Sequence, residues 1–137
     1  LTKNVSLDTT PFGDWLDSLQ KGVPIIAFRD LYFAPILYAD SADVLLKILK
    51  QRLPGIFHLS GEHDLSYHDF ACGLCEHLRL AKNLVVGKRS EEVGVTLVDK
   101  HAITGLSMIE TRKRLQVVPV PVSRIYEFFG SNFKKQF

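Results

Sequence analysis

The sequence predicts an α/β domain with a small mixed sheet and flanking helices. Three observations favour this class. The chain has 137 residues, a normal length for one domain, and 46% of them are hydrophobic, which is enough for a core. Apolar residues at helical spacing alternate along the chain with short apolar runs. Internal repeats and low-complexity segments are absent from the sequence, so we expect residues 1–137 to form a single domain.

The first predicted helix begins at Thr10-Pro11, where threonine can cap the helix and proline suits its first position. Gly22 and Pro24 are typical of a helix end. The predicted inward face consists of Phe12, Trp15, Leu16 and Leu19. Residues 24–28 follow as a continuous apolar run, which predicts a strand covered on both faces.

The next segments predict an edge strand, a helix and a second buried strand. Residues 32–38 are interrupted by Pro35, which favours an edge position or an ordered loop. Asp40 or Ser41 is expected to cap the helix. Its predicted buried stripe is Val44, Leu45, Ile48 and Leu49. Residues 56–59 form the buried-type strand, which ends at Ser60-Gly61.

The second half contains three predicted helices. Ser66 and Asp69 form a capping pair, and the helix behind them has an inward face of Phe70, Ala71, Leu74, Cys75 and Leu78. Residues 107–115 predict a short helix. The last helix begins near Ser123 and is expected to bury Ile125, Phe128 and Phe129.

Less regular segments separate and follow these helices. Residues 81–107 have a weak pattern, with a strand expected at 93–98. The prolines of residues 117–121 require an extended backbone. Residues 132–137 are expected to fray.

Composition excludes some function classes. The formal net charge of +2 is too small for the positive field typical of nucleic-acid binding. Neither a membrane-spanning run nor a secretory leader is evident, and two cysteines are too few for a disulfide framework, so we expect a cytoplasmic protein. The chain opens on Leu1 and its one methionine is Met108, so we expect it to be a fragment of a longer chain.

The order of several short strings resembles a known family. The strings begin with the helix at 12–19 and continue with Phe28-Arg29-Asp30, Ala34-Pro35, Asp40-Ser41-Ala42, Gly55-Ile56-Phe57-His58-Leu59-Ser60-Gly61 and Leu65-Ser66-Tyr67-His68-Asp69-Phe70-Ala71. Together they resemble the C-terminal, substrate-binding lobe of extended short-chain dehydrogenase/reductases, in particular the dTDP-4-dehydrorhamnose reductases. The family usually has a small polar residue after the proline and an Arg-Pro pair before the penultimate helix, where this chain has Ile36 and His101-Ala102.

The resemblance implies a Rossmann half that this sequence lacks. The chain has neither a Gly-rich turn nor a Tyr-x-x-x-Lys pair, so it is expected to contain no catalytic or cofactor-binding residue and to be inactive alone. NAD(P)H is then expected on the other half. The implied partners are that N-terminal Rossmann lobe and a sugar nucleotide. The resemblance is also compatible with a homo-oligomer. A non-catalytic regulatory or interaction domain of the same family is the alternative.

A polar and aromatic cluster at a strand end is the predicted substrate-binding site. It consists of Arg29, Asp30, Tyr32, Phe33 and Pro35. A guanidinium can hold a phosphate through two hydrogen bonds, and the rings could stack on a base or sugar. A salt bridge with packed aromatic rings is the competing interpretation.

Other polar groups allow metal or redox interpretations, each weighed against a structural one. Cys72 and Cys75, with His68 and His77, resemble a ligand set, but they lie inside a predicted helix, which favours core packing. Glu62-His63-Asp64 favours an exposed loop and His58 a structural hydrogen bond. Residues 112–114 and 134–135 are basic and favour a solvated surface. We therefore predict no metal site.

Overall fold

The computed structural model describes residues 4–5, 11–96 and 103–133 of the chain. Within these ranges the fold consists of short strands and α-helices. The strands are β1 (Asn4–Val5), β2 (Ile25–Phe28), β3 (Tyr32–Phe33), β4 (Ile36–Leu37), β5 (Leu65–Ser66) and β6 (Val85–Lys88). The helices are α1 (Pro11–Gln20), α2 (Tyr38–Gln51), α3 (Tyr67–His77), α4 (Ile109–Leu115) and α5 (Val122–Phe133).

The strands form pairs of both orientations. β1 pairs with β4 and β2 pairs with β6, both in parallel, whereas β3 and β5 are antiparallel. In the longest pairing Ile25 lies opposite Val85 and Phe28 lies opposite Lys88. The prediction of a small mixed sheet with flanking helices is confirmed.

Aromatic rings form the centre of the core between α1, α3 and α5. Phe70 on α3 is fully buried, and its ring lies 5.2 Å from those of Phe12 and Phe33 and 6.1 Å from that of Phe129. Tyr67 stacks on Phe12 at 5.9 Å. Such ring pairs add about 0.5–1.5 kcal/mol each beyond the burial of their area. This cluster holds the three helices against β2 and β3.

Two predicted helix ends are confirmed. Ser66 caps α3, because its hydroxyl oxygen accepts a hydrogen bond from the Asp69 backbone N–H at 3.0 Å, and the hydroxyl donates to Asp69 Oδ2 at 2.7 Å. Gly22 follows α1 in the left-handed conformation with φ of 67°, a conformation that glycine adopts without strain. The predicted cap Thr10 lies outside the described residues.

Two elements have less buried surface than predicted. β2 is covered on one face only, because Ile25 and Ala27 are buried while Ile26 is 49% exposed. α2 buries none of its residues fully; Leu45 and Leu49 are 53% and 70% exposed. The predicted stripe on α2 is therefore not buried within the described part of this chain.

The capping prediction for α2 was wrong. The helix begins at Tyr38, so Asp40 and Ser41 lie in its first turns, and the N-cap position is Leu37, which makes no side-chain cap. Asp40 instead pairs with Arg124 of α5, with 2.7 Å between Oδ1 and Nη2. The carboxylate joins two helices rather than ending one.

The strand predicted at 56–59 is absent from the described residues. Ile56 is 83% exposed, and the segment is held to α4 by side chains. Thr111 Oγ1 donates to the carbonyl oxygen of His58 at 2.8 Å, and the guanidinium of Arg114 lies 4.6 Å from the centre of the Phe57 ring.

The strand predicted at 93–98 was also misplaced. Ser90–Val93 is a short 3-10 helix that ends at Gly94, and the strand lies earlier, as β6; residues 97–98 are outside the described ranges. The short helix predicted at 107–115 is confirmed as α4.

The last helix agrees with the prediction except at one ring. α5 buries Ile125 and Phe129 fully, but Phe128 is 37% exposed. The helix continues through Phe133, into the segment expected to fray, and residues 134–137 lie outside the described ranges. In the part of the chain that the structure describes, no helix has the length and apolar character required to span a membrane.

Candidate functional site

The carboxyl ends of β2 and β6 bring basic residues to one edge of their sheet. The two strands are parallel, so Arg29 follows β2 where Lys88 ends β6 and Arg89 follows it. The backbone N–H of Arg29 donates to the carbonyl oxygen of Lys88 at 2.9 Å, which fixes the two ends side by side. Arg29 and Arg89 are exposed. We call Arg29, Lys88 and Arg89 the basic edge.

Asp30 fixes the loop behind this edge. Its Oδ1 accepts a hydrogen bond from the Ser90 backbone N–H at 2.9 Å, and its Oδ2 accepts one from the Ser90 hydroxyl at 2.8 Å. Ser90 is fully buried and begins the 3-10 helix. Because Arg89 directly precedes Ser90 and Arg29 directly precedes Asp30, these hydrogen bonds also fix the position of Arg89 relative to Arg29.

Gly87 allows two side chains to lie across β6. A Cβ at this position would collide with Arg29 Nε and with the imidazole of His68. A larger residue would therefore displace the Arg29 guanidinium from the edge. Among the described residues Arg29 has no carboxylate partner, so its guanidinium can donate hydrogen bonds to an anionic ligand.

The other predicted site residues differ in exposure. Tyr32 is half-buried, and its backbone pairs with Ser66 between β3 and β5. Phe33 is buried, with its ring 4.6 Å from that of Tyr67, and Pro35 is fully buried. Arg29 and Tyr32 therefore offer side-chain surface to a ligand, whereas Phe33 and Pro35 support them from within the core.

Sequence reasoning missed Lys88 and Arg89. No local signal marked them, because β6 lies in a stretch with weak periodicity and its partner β2 is distant in the sequence. Their position becomes evident only from the parallel pairing.

The cysteine and histidine set lies on α3 as predicted, but it does not converge. Cys72 Sγ lies 3.7 Å from His68 Nε2, while Cys75 is fully buried in the core. Burial raises the pKa of the Cys75 thiol to about 11, and burial together with the Asp69 carboxylate raises that of Cys72. Within the described ranges no three His, Cys, Asp or Glu side chains are grouped to hold a metal ion.

The loop after Gly61 is held by Asp64. Its Oδ1 accepts hydrogen bonds from the Thr104 backbone N–H at 2.6 Å, the Thr104 hydroxyl at 2.7 Å and the Gly105 backbone N–H at 2.7 Å. Burial alone would raise the pKa of Asp64, but these hydrogen bonds from Thr104 and Gly105 outweigh it and hold the pKa below its usual 3.8. His58 Nδ1 also lies 3.2 Å from the carbonyl oxygen of Ser107, as a structural role predicts.

We expect Asp64→Asn to lower the free energy of unfolding by about 1–2 kcal/mol at neutral pH, because charge-assisted hydrogen bonds become neutral ones. A carboxylate with a depressed folded-state pKa stabilises the fold above its usual pKa, and this contribution disappears as the pH falls through the folded value. The variant should therefore lose less stability than the parent as the pH falls from neutral through about 4, the usual pKa of an aspartate, and below it. Urea unfolding across this range measures both effects.

The exposed neighbour Glu62 offers the matched control. Its described ion-pair partner is His63, at 3.5 Å, and both side chains are largely exposed. Glu62→Gln should leave the midpoint and its acid dependence within error of the parent. An equal response of the two variants to acid would contradict the role given to Asp64.

The chain was compared with known proteins. No protein-family model and no curated protein sequence matches it. Solved structures, by contrast, do match the fold of this chain. The dTDP-4-dehydrorhamnose reductase from Yersinia enterocolitica superposes with a TM-score of 0.75 at 15% sequence identity, over 90% of this chain and 43% of that one. The dTDP-4-dehydrorhamnose reductase from Bacillus anthracis, solved in complex with NADP, gives 0.68 at 18% identity, over 100% of this chain and 46% of that one.

These superpositions establish the fold. The chain has the architecture of part of a dTDP-4-dehydrorhamnose reductase, as its sequence resemblance predicted, and it spans less than half the length of each of these two structures. More than half of each relative therefore has no counterpart in this chain.

Proposed function

We propose that this chain, which has the fold of part of a dTDP-4-dehydrorhamnose reductase, is the substrate-binding part of a sugar-nucleotide reductase. The observation that carries the proposal is the match over 90–100% of this chain to 43–46% of the two reductases. In this proposal the chain binds and orients the sugar nucleotide, and it is inactive without a cofactor-binding lobe. A fold alone does not determine a reaction, so the remaining support comes from surfaces on this chain.

The first support is a solvent-exposed apolar surface. Leu45, Leu46 and Leu49 on α2 are each at least half exposed, as is Ile56 beyond the helix. We call these four residues the α2 face. Sequence periodicity predicts that Leu45 and Leu49 of this face are buried, and exposed apolar surfaces on single chains mark interaction sites. We assign the α2 face to contact with the N-terminal Rossmann lobe.

The second support is the charge at the carboxyl ends of β2 and β6. Arg29, Lys88 and Arg89 form a cationic edge, and in α/β proteins ligands bind beyond the carboxyl ends of strands. The pyrophosphate of a sugar nucleotide is an anion that arginine binds through paired hydrogen bonds. We infer that the basic edge contacts the pyrophosphate, and that Tyr32, three residues after Arg29 in the sequence, contacts the same ligand.

The cofactor is assigned to the other lobe. The nine glycines of this chain form no Gly-rich turn of the kind that holds a dinucleotide, and its four tyrosines head no Tyr-x-x-x-Lys pair. These residues do not form a dinucleotide site, so in this proposal NADP and the hydride transfer belong to the other lobe. The cytoplasm is the proposed compartment, and neither a nucleic acid nor a membrane is a proposed partner.

A fusion tests the function. The N-terminal half of the Bacillus anthracis reductase, joined in front of this chain, should oxidise NADPH when dTDP-4-dehydrorhamnose is added, whereas either half alone should not. In the fusion, Arg29→Ala should raise the KM roughly tenfold with a smaller effect on kcat, as expected when one charge-assisted phosphate contact is lost. Absorbance of NADPH at a series of substrate concentrations gives both constants.

The control in the fusion is Arg112→Ala, on an exposed position of α4 away from the basic edge. It should leave KM and kcat unchanged. A folded fusion that binds NADP but reduces no 4-keto sugar nucleotide would reject the reductase assignment.

A second candidate is a non-catalytic interaction domain, which the α2 face also favours. In that case the four exposed apolar residues bind the subunit that the domain regulates. Leu49→Glu distinguishes the two. It should abolish turnover by the fusion if the lobes pack here, and it should abolish only association with a separate subunit if the domain is regulatory.

A further inference from the structure

The imidazole of His68 is a direct neighbour of the basic edge. His68 lies in the first turn of α3, and its ring and Arg29 Nε both lie against Gly87 on β6, in the space that a Cβ would occupy. His68 Nε2 is 2.8 Å from the position of that Cβ. The side chain of His68 is 19% exposed. The glycine therefore brings a largely buried histidine of one element beside the exposed arginine of another.

Both ring nitrogens of His68 have partners on α3. Nδ1 lies 3.4 Å from Asp69 Oδ1, and Nε2 lies 3.7 Å from Cys72 Sγ. A neutral imidazole can donate from only one of its nitrogens, whereas an imidazolium donates from both. A carboxylate accepts hydrogen bonds, and a thiol sulfur accepts them weakly. The protonated ring can therefore donate to both partners, so this position accommodates a positive charge on His68.

His68 is the group in this cluster whose side-chain type changes charge near neutral pH. Burial and the Asp69 carboxylate raise the pKa of the Cys72 thiol, and the same two causes raise the pKa of Tyr126 on α5 to about 12, so both stay protonated. Carboxylates, ammonium groups and guanidinium groups ordinarily keep their charge between about pH 5.5 and 8, and histidine does not. The charged side chains around the ring and its partners are Asp69, Arg29, Lys88 beside Gly87, and Lys82, which pairs with Glu76 at 2.8 Å.

We propose that His68 is a positioning residue of the basic edge and that its protonation strengthens pyrophosphate binding there. This inference rests on the proposed function, in which the basic edge contacts the pyrophosphate. The ring fills the space beside Arg29 over Gly87 and so restricts the positions of the guanidinium. When protonated, it also offsets the negative charge of Asp69 and adds a cation close to the bound anion.

Calorimetric titration of the 137-residue chain with dTDP-glucose at about pH 5.5 and about pH 8 tests the proposal. The pyrophosphate of this ligand is a diester and has the same charge at both pH values, so a change in affinity reports on the protein. The ionic strength is held equal because salt screens an exposed cationic edge. Binding should be roughly fivefold tighter at the lower pH, as expected for one additional nearby charge.

Variants separate the charge of His68 from its packing. His68→Gln keeps a polar group near the position of Nε2 but cannot become a cation, so it should bind like the parent at about pH 8 and gain nothing at the lower pH. His68→Ala should bind roughly threefold more weakly at both pH values, because the guanidinium is less restricted. His77→Gln, exposed at the other end of α3, should keep the pH dependence of the parent. Circular dichroism at both pH values checks that each variant is folded.

Equal affinity of the parent at the two pH values, or an unchanged pH dependence in His68→Gln, would overturn the role of the charge. His68→Ala that binds like the parent would overturn the positioning role. In these cases a loss of binding in Arg29→Ala would still support the basic edge as the pyrophosphate site. Absence of saturable binding by the parent at millimolar dTDP-glucose would instead reject that site, and the role of His68 with it.

Discussion

Phe70→Ala is expected to lower the free energy of unfolding by about 3–5 kcal/mol, the range for truncating a fully buried phenylalanine. The ring is completely buried, and its neighbours come from every helix of the core. It lies 5.2 Å from Phe12 on α1, 5.3 Å from Tyr126 and 6.1 Å from Phe129 on α5. Removal leaves a cavity that these aromatic rings cannot fill without leaving their own positions. Urea unfolding followed by circular dichroism measures the loss.

Phe128→Ala is the matched control for this experiment. The Phe128 ring is 37% exposed and lies against Phe129 at 5.7 Å on the outside of α5. Its truncation should cost about 1 kcal/mol or less. Equal costs at the two positions would contradict the assignment of Phe70 to the centre of the core.

Gly61→Ala is expected to destabilise the fold by about 2–3 kcal/mol, through overpacking against atoms that cannot move. A Cβ at Gly61 would collide with the backbone carbonyl of Pro35. The backbone here is fixed from the other side as well, because Gly61 forms a bridge with Val120 and the Glu62 N–H donates to the Val120 carbonyl at 3.2 Å. Neither neighbour can give way without disturbing the bridge between Gly61 and Val120 or the backbone at Pro35 that leads into β4.

The comparison variant is Gly130→Ala in α5. An added Cβ there would meet side-chain atoms of His77 and Leu78 at 3.3–3.6 Å, and these can adjust. The gain in helix propensity of about 1 kcal/mol should offset the contact. Thermal unfolding should show a lower midpoint for Gly61→Ala and an unchanged or higher one for Gly130→Ala. The reverse order would reject the close approach at Pro35.

Elements that bury their own apolar face within this chain could be predicted from the sequence. α1 and α3 have both a terminal signal and an inward stripe, and the structure buries Phe12, Leu16, Phe70 and Leu74 as expected. Here the local pattern and the tertiary contacts specify the same structure.

The failures have a different cause. The helix α2 and the segment 56–59 have core-like patterns, yet Leu49 and Ile56 are exposed. A hydrophobic pattern predicts that a surface is buried. It does not show whether that surface packs within the same chain or against another one. In the proposed reductase, Leu49 and Ile56 contact the N-terminal lobe.

The candidate site was predictable in part. Arg29 could be found because it ends a clear apolar run, whereas Lys88 and Arg89 became visible only through the pairing of β2 with β6. Non-local pairing leaves no signal at either strand in isolation. The sequence predicts Asp30 as a substrate-binding residue, but its hydrogen bonds to Ser90 could not be inferred from the sequence.

The parallel pairing of β2 with β6 also has a consequence for synthesis of the protein in the cell. Asp30 and its partner Ser90 are separated by 60 positions. At a translation rate of about 5–20 residues per second, the ribosome needs roughly 3–12 seconds to make that stretch. During this interval β2 has no partner, and its apolar residues are accessible to chaperones and to other nascent chains.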